Sequence, residues 1–191
     1  KTELAVLAIW GEERVAAKGI VFADPRLPAL GLRMLLSPEV TGEVAVENTD
    51  AYDNHRIALG VPKGGVDFLY NDAFPHDADL DKLHGVDFKK GCFIGQEVVS
   101  RVEHRGTARN RVVPVSFEGI APPVGAVVKA DDKVVGVMGS SAGTIGLAML
   151  RIDRVSDATA SGVSLSADGT VLSPREGFTD FFDKNAGKVA G

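Results

Sequence analysis

A chain of 191 residues, 45% hydrophobic and 25% charged, has the composition of an ordinary globular protein and is long enough for one or two domains with a buried core. Its formal charge of −5 argues against a protein that coats nucleic acid or an anionic membrane with its whole surface, and no run approaches the roughly 18 apolar residues that span a bilayer. A single cysteine, Cys92, excludes an intrachain disulfide framework and any zinc site built on paired cysteines.

The chain opens on Lys1 without a basic-then-apolar leader pattern and enters a strand-like run almost at once, so its natural start is expected upstream. Residues 3–10 are short, apolar and bounded by Gly11, which suits a buried strand. Asp24-Pro25-Arg26 and Pro28 mark a turn, and Ala29 to Leu36 read as a partner strand. A helix is expected from Asp50 as N-cap through Leu59, stopped by Gly60 and Pro62. Between Asp67 and Phe88 six aspartates (Asp67, Asp72, Asp77, Asp79, Asp81, Asp87) stand against Lys82, which reads as an acidic, largely solvated connector. The sign then reverses. Lys89, Lys90, Arg101, Arg105, Arg109 and Arg111 face Glu97 and Glu103, so any basic site is confined to one segment. Beyond Arg111, short β-prone runs (Val112–Phe117, Val124–Lys129, Val134–Gly139, Thr144–Ile152, Val163–Leu165) alternate with turn signals at Asp131-Asp132, Ser140–Gly143 and Asp168-Gly169, the pattern of a small barrel or sandwich. The organisation expected is an α+β region over 1–108, a barrel over 109–176 and a tail over 177–191, where Phe178, Phe181 and Phe182 suit a docked final helical turn.

Several motifs look chemical and read better as structure. Gly139-Ser140-Ser141-Ala142-Gly143 has the spacing of a serine-hydrolase elbow, yet no histidine follows His104 and a strand follows where a helix is needed; it reads as a hairpin turn. Asp77-Ala78-Asp79-Leu80-Asp81 resembles the start of a calcium loop, but Lys82 occupies the turn-glycine position and Phe88 the bidentate-glutamate position. His55, His76, His84 and His104 form no H-x-x-x-H pair, so no tightly bound metal is expected.

The stretch around Cys92 has the makings of a site. Gly91 and Gly95 remove side chains on either side of Cys92 and Phe93, allowing close approach by a ligand. Gln96 to His104 has helical character with Val98, Val99 and Val102 on one face and Gly106 as a stop. A cysteine just before a helix start and after Lys89 and Lys90 should favour the thiolate. The same segment could instead hold an anion, with Arg101 and Arg105 helping. Two blander readings stand beside these: Cys92 as an inert small hydrophobe, and the basic run as a solvated helix face.

Lys90-Gly91-Cys92-Phe93-Ile94-Gly95-Gln96-Glu97 resembles the K-G-C-[YF]-x-G-Q-E signature of the YgfZ-type branch of the folate-binding aminomethyltransferase superfamily. The likeness extends to Arg56-Ile57-x-x-Gly60-Val61-Pro62, Phe74-Pro75-His76-Asp77, Val98-Val99-Ser100-Arg101, Arg105-Gly106-Thr107-Ala108-Arg109, Asp24-Pro25-Arg26 and Leu30-Gly31-x-Arg33. The resemblance implies ferredoxin-like α+β lobes and a C-terminal β-barrel arranged as a ring around tetrahydrofolate, and most of a first lobe that this sequence lacks. It implies an accessory protein for iron–sulfur cluster assembly or repair, with Cys92 as functional thiol and with client or assembly proteins as partners; a tetrahydrofolate-dependent aminomethyltransferase is the alternative. The folate residues it points to are Asp53, Arg56, Lys90, Gly91, Phe93, Gly95, Gln96, Glu97, Arg101 and Arg105. Neither a membrane nor a nucleic acid is expected as partner, and the compartment would be a bacterial cytoplasm or a eukaryotic mitochondrial matrix. One position departs from the pattern: where glycine-cleavage enzymes and many relatives carry a pterin-binding glutamate after Arg-x, this chain has Ala58, so a bound pterin is expected to be held by another carboxylate, Asp53 or one in the missing part, or to be held more weakly.

Overall fold

The computed structural model describes residues 4–11, 18–41, 49–92, 94–105 and 108–175. Phe93, Gly106 and the tail over 177–191 lie outside the described residues.

Strands β1 (Ala5–Ile9), β2 (Ile20–Ala23) and β3 (Leu32–Leu36) form an antiparallel sheet in the order β1-β3-β2. Met34 lies opposite Leu7 on one side and Val21 on the other. Period-2 alternation puts Ile9, Met34 and Leu36 on the face that forms a small core with Ala5 and Leu7. The partner strand is shorter than the sequence suggests, because Pro28–Leu30 form a 3-10 turn with Pro at its start. Strand β2 leaves no mark in the sequence pattern, since its four exposed residues carry no alternation.

After the single turn α1 (Pro38–Thr41), helix α2 (Thr49–Ala58) runs where the N-cap and Gly60 signals put it. Its end is a Schellman closure: Gly60, at φ 76°, donates its N–H to Ile57 O, and Val61 donates to Arg56 O. Helix α3 (Gln96–Arg105) follows a turn-rich connector.

The second half is a closed antiparallel barrel in the order β4-β7-β6-β5-β8-β9, with β4 (Asn110–Phe117), β5 (Val127–Ala130), β6 (Lys133–Ala142), β7 (Ile145–Arg151), β8 (Leu165–Ala167) and β9 (Thr170–Pro174). Closure through β4 and β9 removes both sheet edges. Val113, Val115, Val128, Met138, Ala148, Leu150 and Leu172 fill the interior. Helix α4 (Ile152–Ala160), which the strand-like sequence pattern conceals, lays Ile152, Val155 and Ala158 against that core at i, i+3, i+6. On the outer face Val112 and Leu147 receive Ile57, which docks α2 against the barrel and sets where its other side chains point.

The segment expected to be a hairpin turn at 139–143 is mostly strand. A register shift between Met138 and Ser141 bulges β6, and the two-residue turn is Gly143-Thr144, with Gly143 at φ 58°.

Candidate functional site

Cys92 is exposed. It lines an open groove of about 460 Å³ with Gln96, Glu97, Ser100 and Arg101, all four from α3. Residues 93–95 separate it from the helix start. Gly91 and Gly95 take φ 58° and 88°, and a Cβ added at either would meet nothing within 4 Å. Glycine is therefore needed there for the left-handed backbone that turns the chain past Cys92, rather than for close approach. Lys89 and Lys90 lie exposed just upstream, where Lys89 N–H is held by the Asp87 carboxylate at 2.8 Å. Arg105 belongs to α3, and its side chain lies outside the described residues. The groove thus collects the thiol with the Gln96, Glu97 and Arg101 positions, while Phe93 falls outside the described residues.

Asp53 and Arg56 lie elsewhere, in a buried polar hub. The Arg56 guanidinium, 4% exposed, donates to Asp53 at 2.6 Å, to Asp67 at 2.8 Å, to Val61 O at 3.1 Å and to Ser140 Oγ at 3.1 Å. Asp67 in turn accepts from the Lys63 N–H at 2.7 Å, and from the Ser140 N–H and hydroxyl at 2.6 and 2.7 Å, which the β6 bulge directs at it. Burial pushes the Asp53 carboxyl up, but hydrogen bonds from Arg56 and Lys63 outweigh it and hold the group below its ordinary range. Both residues are engaged in joining α2, the connector and the barrel.

The connector itself corrects the solvated reading of residues 67–88. Asp67, Asp77 and Asp79 are buried, as is His76. Arg111, counted with the basic run, places Nη1 on Asp79 and both terminal nitrogens on Asp81, at 2.6–3.1 Å, and also bonds His76 O. Its charge is consumed within the fold. Burial raises the Asp77 and Asp79 carboxyls; at Asp81 burial also pushes up, but the hydrogen bond from Arg111 wins and lowers it. An acidic count over the stretch misleads because it ignores cations supplied from outside it, Arg56 and Arg111. His76 Nε2 sits 3.2 Å from Glu103 on α3, and Asp81 lies near enough that the three could share a cation, although Arg111 already occupies both Asp81 oxygens.

A second cluster gathers residues scattered along the sequence, from Asp24-Pro25-Arg26 and Arg33 to Tyr52. Buried Asp24 accepts Arg26 Nη2 at 2.8 Å and Arg33 Nε at 2.7 Å, and the bonds from Arg26, then Arg33, hold it well below the usual carboxylate range. Both arginines reach on to the Tyr52 hydroxyl, Arg26 Nη2 at 2.9 Å and Arg33 Nη2 through a short bond, and the Arg33 guanidinium also lies 4.9 Å above the Tyr52 ring. Trp10 sits 5.8 Å from the Tyr52 ring and stacks on His55 at 5.3 Å and 14°. Tyr52, His55 and Arg56 lie three and four apart along α2, so one helix serves both the hub and this cluster. A half-exposed aromatic surface of tilted and stacked rings flanked by fixed cations suits a heteroaromatic ligand carrying negative charge.

Tested against tetrahydrofolate, the residues fit in part. Trp10, Tyr52 and His55 offer ring faces, and Tyr52 and the arginines offer donors. Among the described residues no carboxylate of this cluster or of the hub is free to accept the pterin N–H groups: Asp24, Asp53 and Asp67 are paired, and Ala58 is exposed, its carbonyl accepting Arg175 Nη1 at 2.8 Å. What the cluster offers a ring ligand is hydrogen-bond donors.

Residues 109–177 match the family model described as the CAF17 C-terminal beta-barrel domain, the same stretch that closes into the barrel. The chain is similar to "Iron-sulfur cluster assembly factor IBA57 homolog, mitochondrial" of Mycosarcoma maydis, 38% identical over 131 residues that make up 64% of this chain and 32% of the relative. It is 36% identical to "Iron-sulfur cluster assembly factor IBA57, mitochondrial" of Homo sapiens over 154 residues, 75% of this chain and 43% of the relative. With the homolog of Coccidioides immitis it shares 30% identity across 96% of this chain and 52% of the relative. The chain spans about half the length, or less, of these curated relatives. The relatives refine the YgfZ-type resemblance: they carry the name of assembly factors, and they are named mitochondrial.

Proposed function

With its CAF17-type barrel and its likeness to IBA57 assembly factors as the premise, we propose that this chain serves iron–sulfur cluster assembly in a mitochondrion, with Cys92 as its working thiol and tetrahydrofolate held on the Trp10–Tyr52 cluster. The observation that carries the reading is the exposure of Cys92 on an open groove, in a chain similar over 96% of its length to a cluster assembly factor.

A cluster is cargo in this account. Iron in such clusters takes several thiolate ligands, and these 191 residues hold one cysteine. Cys92 therefore contributes one ligand to a cluster whose others come from a client or assembly protein docked over α3. That helix is suited to docking, since none of its described side chains is fully buried, and Ile94 and Val98 are exposed beside the thiol. Ser100 and Arg101 offer donors to sulfide or carboxylate groups brought in by the partner.

Tetrahydrofolate, when bound, would supply N5 and N10 as carriers of one-carbon units. Toward it, Trp10 and His55 provide stacking surface and Arg26 and Arg33 a fixed positive field. The residues that the family resemblance assigns to folate divide by place: Lys90, Gly91, Gly95, Gln96, Glu97 and Arg101 surround Cys92 and suit the glutamyl tail or a partner, while Asp53 and Arg56 shape the frame beneath.

Complementation tests the reading. The full-length protein, targeted to mitochondria of cells lacking their IBA57 factor, should restore the activity of their cluster-dependent enzymes. Absence of rescue by a stably expressed, correctly imported protein overturns it.

A further inference from the structure

The Tyr52 hydroxyl already accepts from two guanidinium groups, Arg26 Nη2 and Arg33 Nη2, and its own O–H has no acceptor among the described residues. A phenol has one proton to give and few lone pairs to offer. With the lone pairs taken, what it presents to a ligand is the O–H. Neither arginine can turn away easily, because the same Asp24 carboxylate, 1% exposed, binds Arg26 through Nε and Nη2 and Arg33 through Nε. The β2–β3 pairing keeps the geometry rigid: Phe22 stands opposite Arg33, Ala23 opposite Leu32, and Asp24 N–H continues the pairing to Gly31 O at 2.9 Å.

The structure assigns Tyr52 as a one-way hydrogen-bond donor that selects ring ligands presenting an acceptor, here the 4-oxo group of a pterin, over ligands presenting a donor at that position. This rests on the folate reading above. Asp24 acts as a positioning residue, through the arginines. A 4-amino group brought to the same place would set N–H against O–H, with no lone pair on Tyr52 left to receive it. A site built to bond one polarity discriminates strongly against the other, because its own polar groups are left unpaired.

Folic acid and aminopterin differ by that exchange of 4-oxo for 4-amino, with which N3 also loses its hydrogen. Their dissociation constants for the full-length protein, measured by calorimetry at pH 7.5, should differ at least about tenfold in favour of folic acid. Tyr52→Phe keeps the ring beneath Arg33 and beside Trp10 but removes the donor; it should weaken folic acid and bring the two constants within about threefold. Arg26→Gln frees a lone pair on Tyr52 and should narrow the gap from the other side, by tightening aminopterin. A role confined to folding would move stability and leave the ratio of constants alone. Equal binding of the two ligands by the unaltered protein, or a preference that survives Tyr52→Phe, overturns this inference while leaving folate binding in place. Binding of neither ligand, nor of tetrahydrofolate, overturns the folate reading and the inference with it.

Discussion

Asp24 and Tyr52 show how a site can be hidden in plain sequence. Asp24-Pro25-Arg26 reads as a turn, and it is one; its chemical weight comes from Arg33, nine residues on, and Tyr52, twenty-eight on, which only the sheet register and the seating of α2 bring together. Cys92, by contrast, is legible in the linear run, because its groove partners Gln96, Glu97, Ser100 and Arg101 follow within one short stretch of helix. Asp24 also carries a pH signature. Its folded value is depressed, so its carboxylate stabilises the fold fully above the unfolded value of about 4, and that contribution is lost as pH falls through the lower folded value. Asp24→Asn should cost about 2 kcal/mol at neutral pH and flatten the loss of stability below pH 4, as read from urea midpoints across that range.

Among the elements, the barrel is the most readable, since turn signals at Asp131, Gly143 and Asp168-Gly169 separate strands of regular spacing, and Asp131 and Asp168 do take positive φ. Helix α4 escapes the sequence pattern although Ile152, Val155 and Ala158 keep helical period, because its first residues continue the apolar run of β7. The connector is obscured for a different reason: composition within 67–88 says nothing of Arg56 and Arg111, which reach in from α2 and β4. Asp77 and Asp79, raised by burial, oppose folding at neutral pH; that cost begins to shrink as pH falls below their folded values and is gone below the unfolded value of about 4, the reverse of Asp24. The join between connector and barrel depends on close approach at Gly139, where a Cβ would stand 2.4 Å from Asp67 Oδ1. Gly139→Ala should therefore displace Asp67 from Ser140 and Arg56 and lower stability by about 3 kcal/mol in denaturant titration, a large effect for one methyl group.

At the scale of the molecule, two stations hang on one frame. The buried Arg56–Asp67–Ser140 hub ties α2 to the barrel, α2 carries Tyr52 and His55 to the cluster with Trp10, Arg26 and Arg33, and α3 presents Cys92 on an open groove. No helix among the described residues is long and apolar enough to cross a membrane. The sequence resemblance anticipates the barrel and the assembly role carried by the relatives' names, and the structure adds which residues stand where a ligand or partner can reach them. The central claim is that the Cys92 thiol carries the chemistry of cluster assembly. It is tested most directly by comparing the full-length protein with its Cys92→Ala variant in cells lacking their IBA57 factor, at matched protein levels and with matched thermal stability of the two purified proteins. Recovery of iron–sulfur enzyme activity is expected with the first and none with the second; equal recovery with both rules out a role for the thiol.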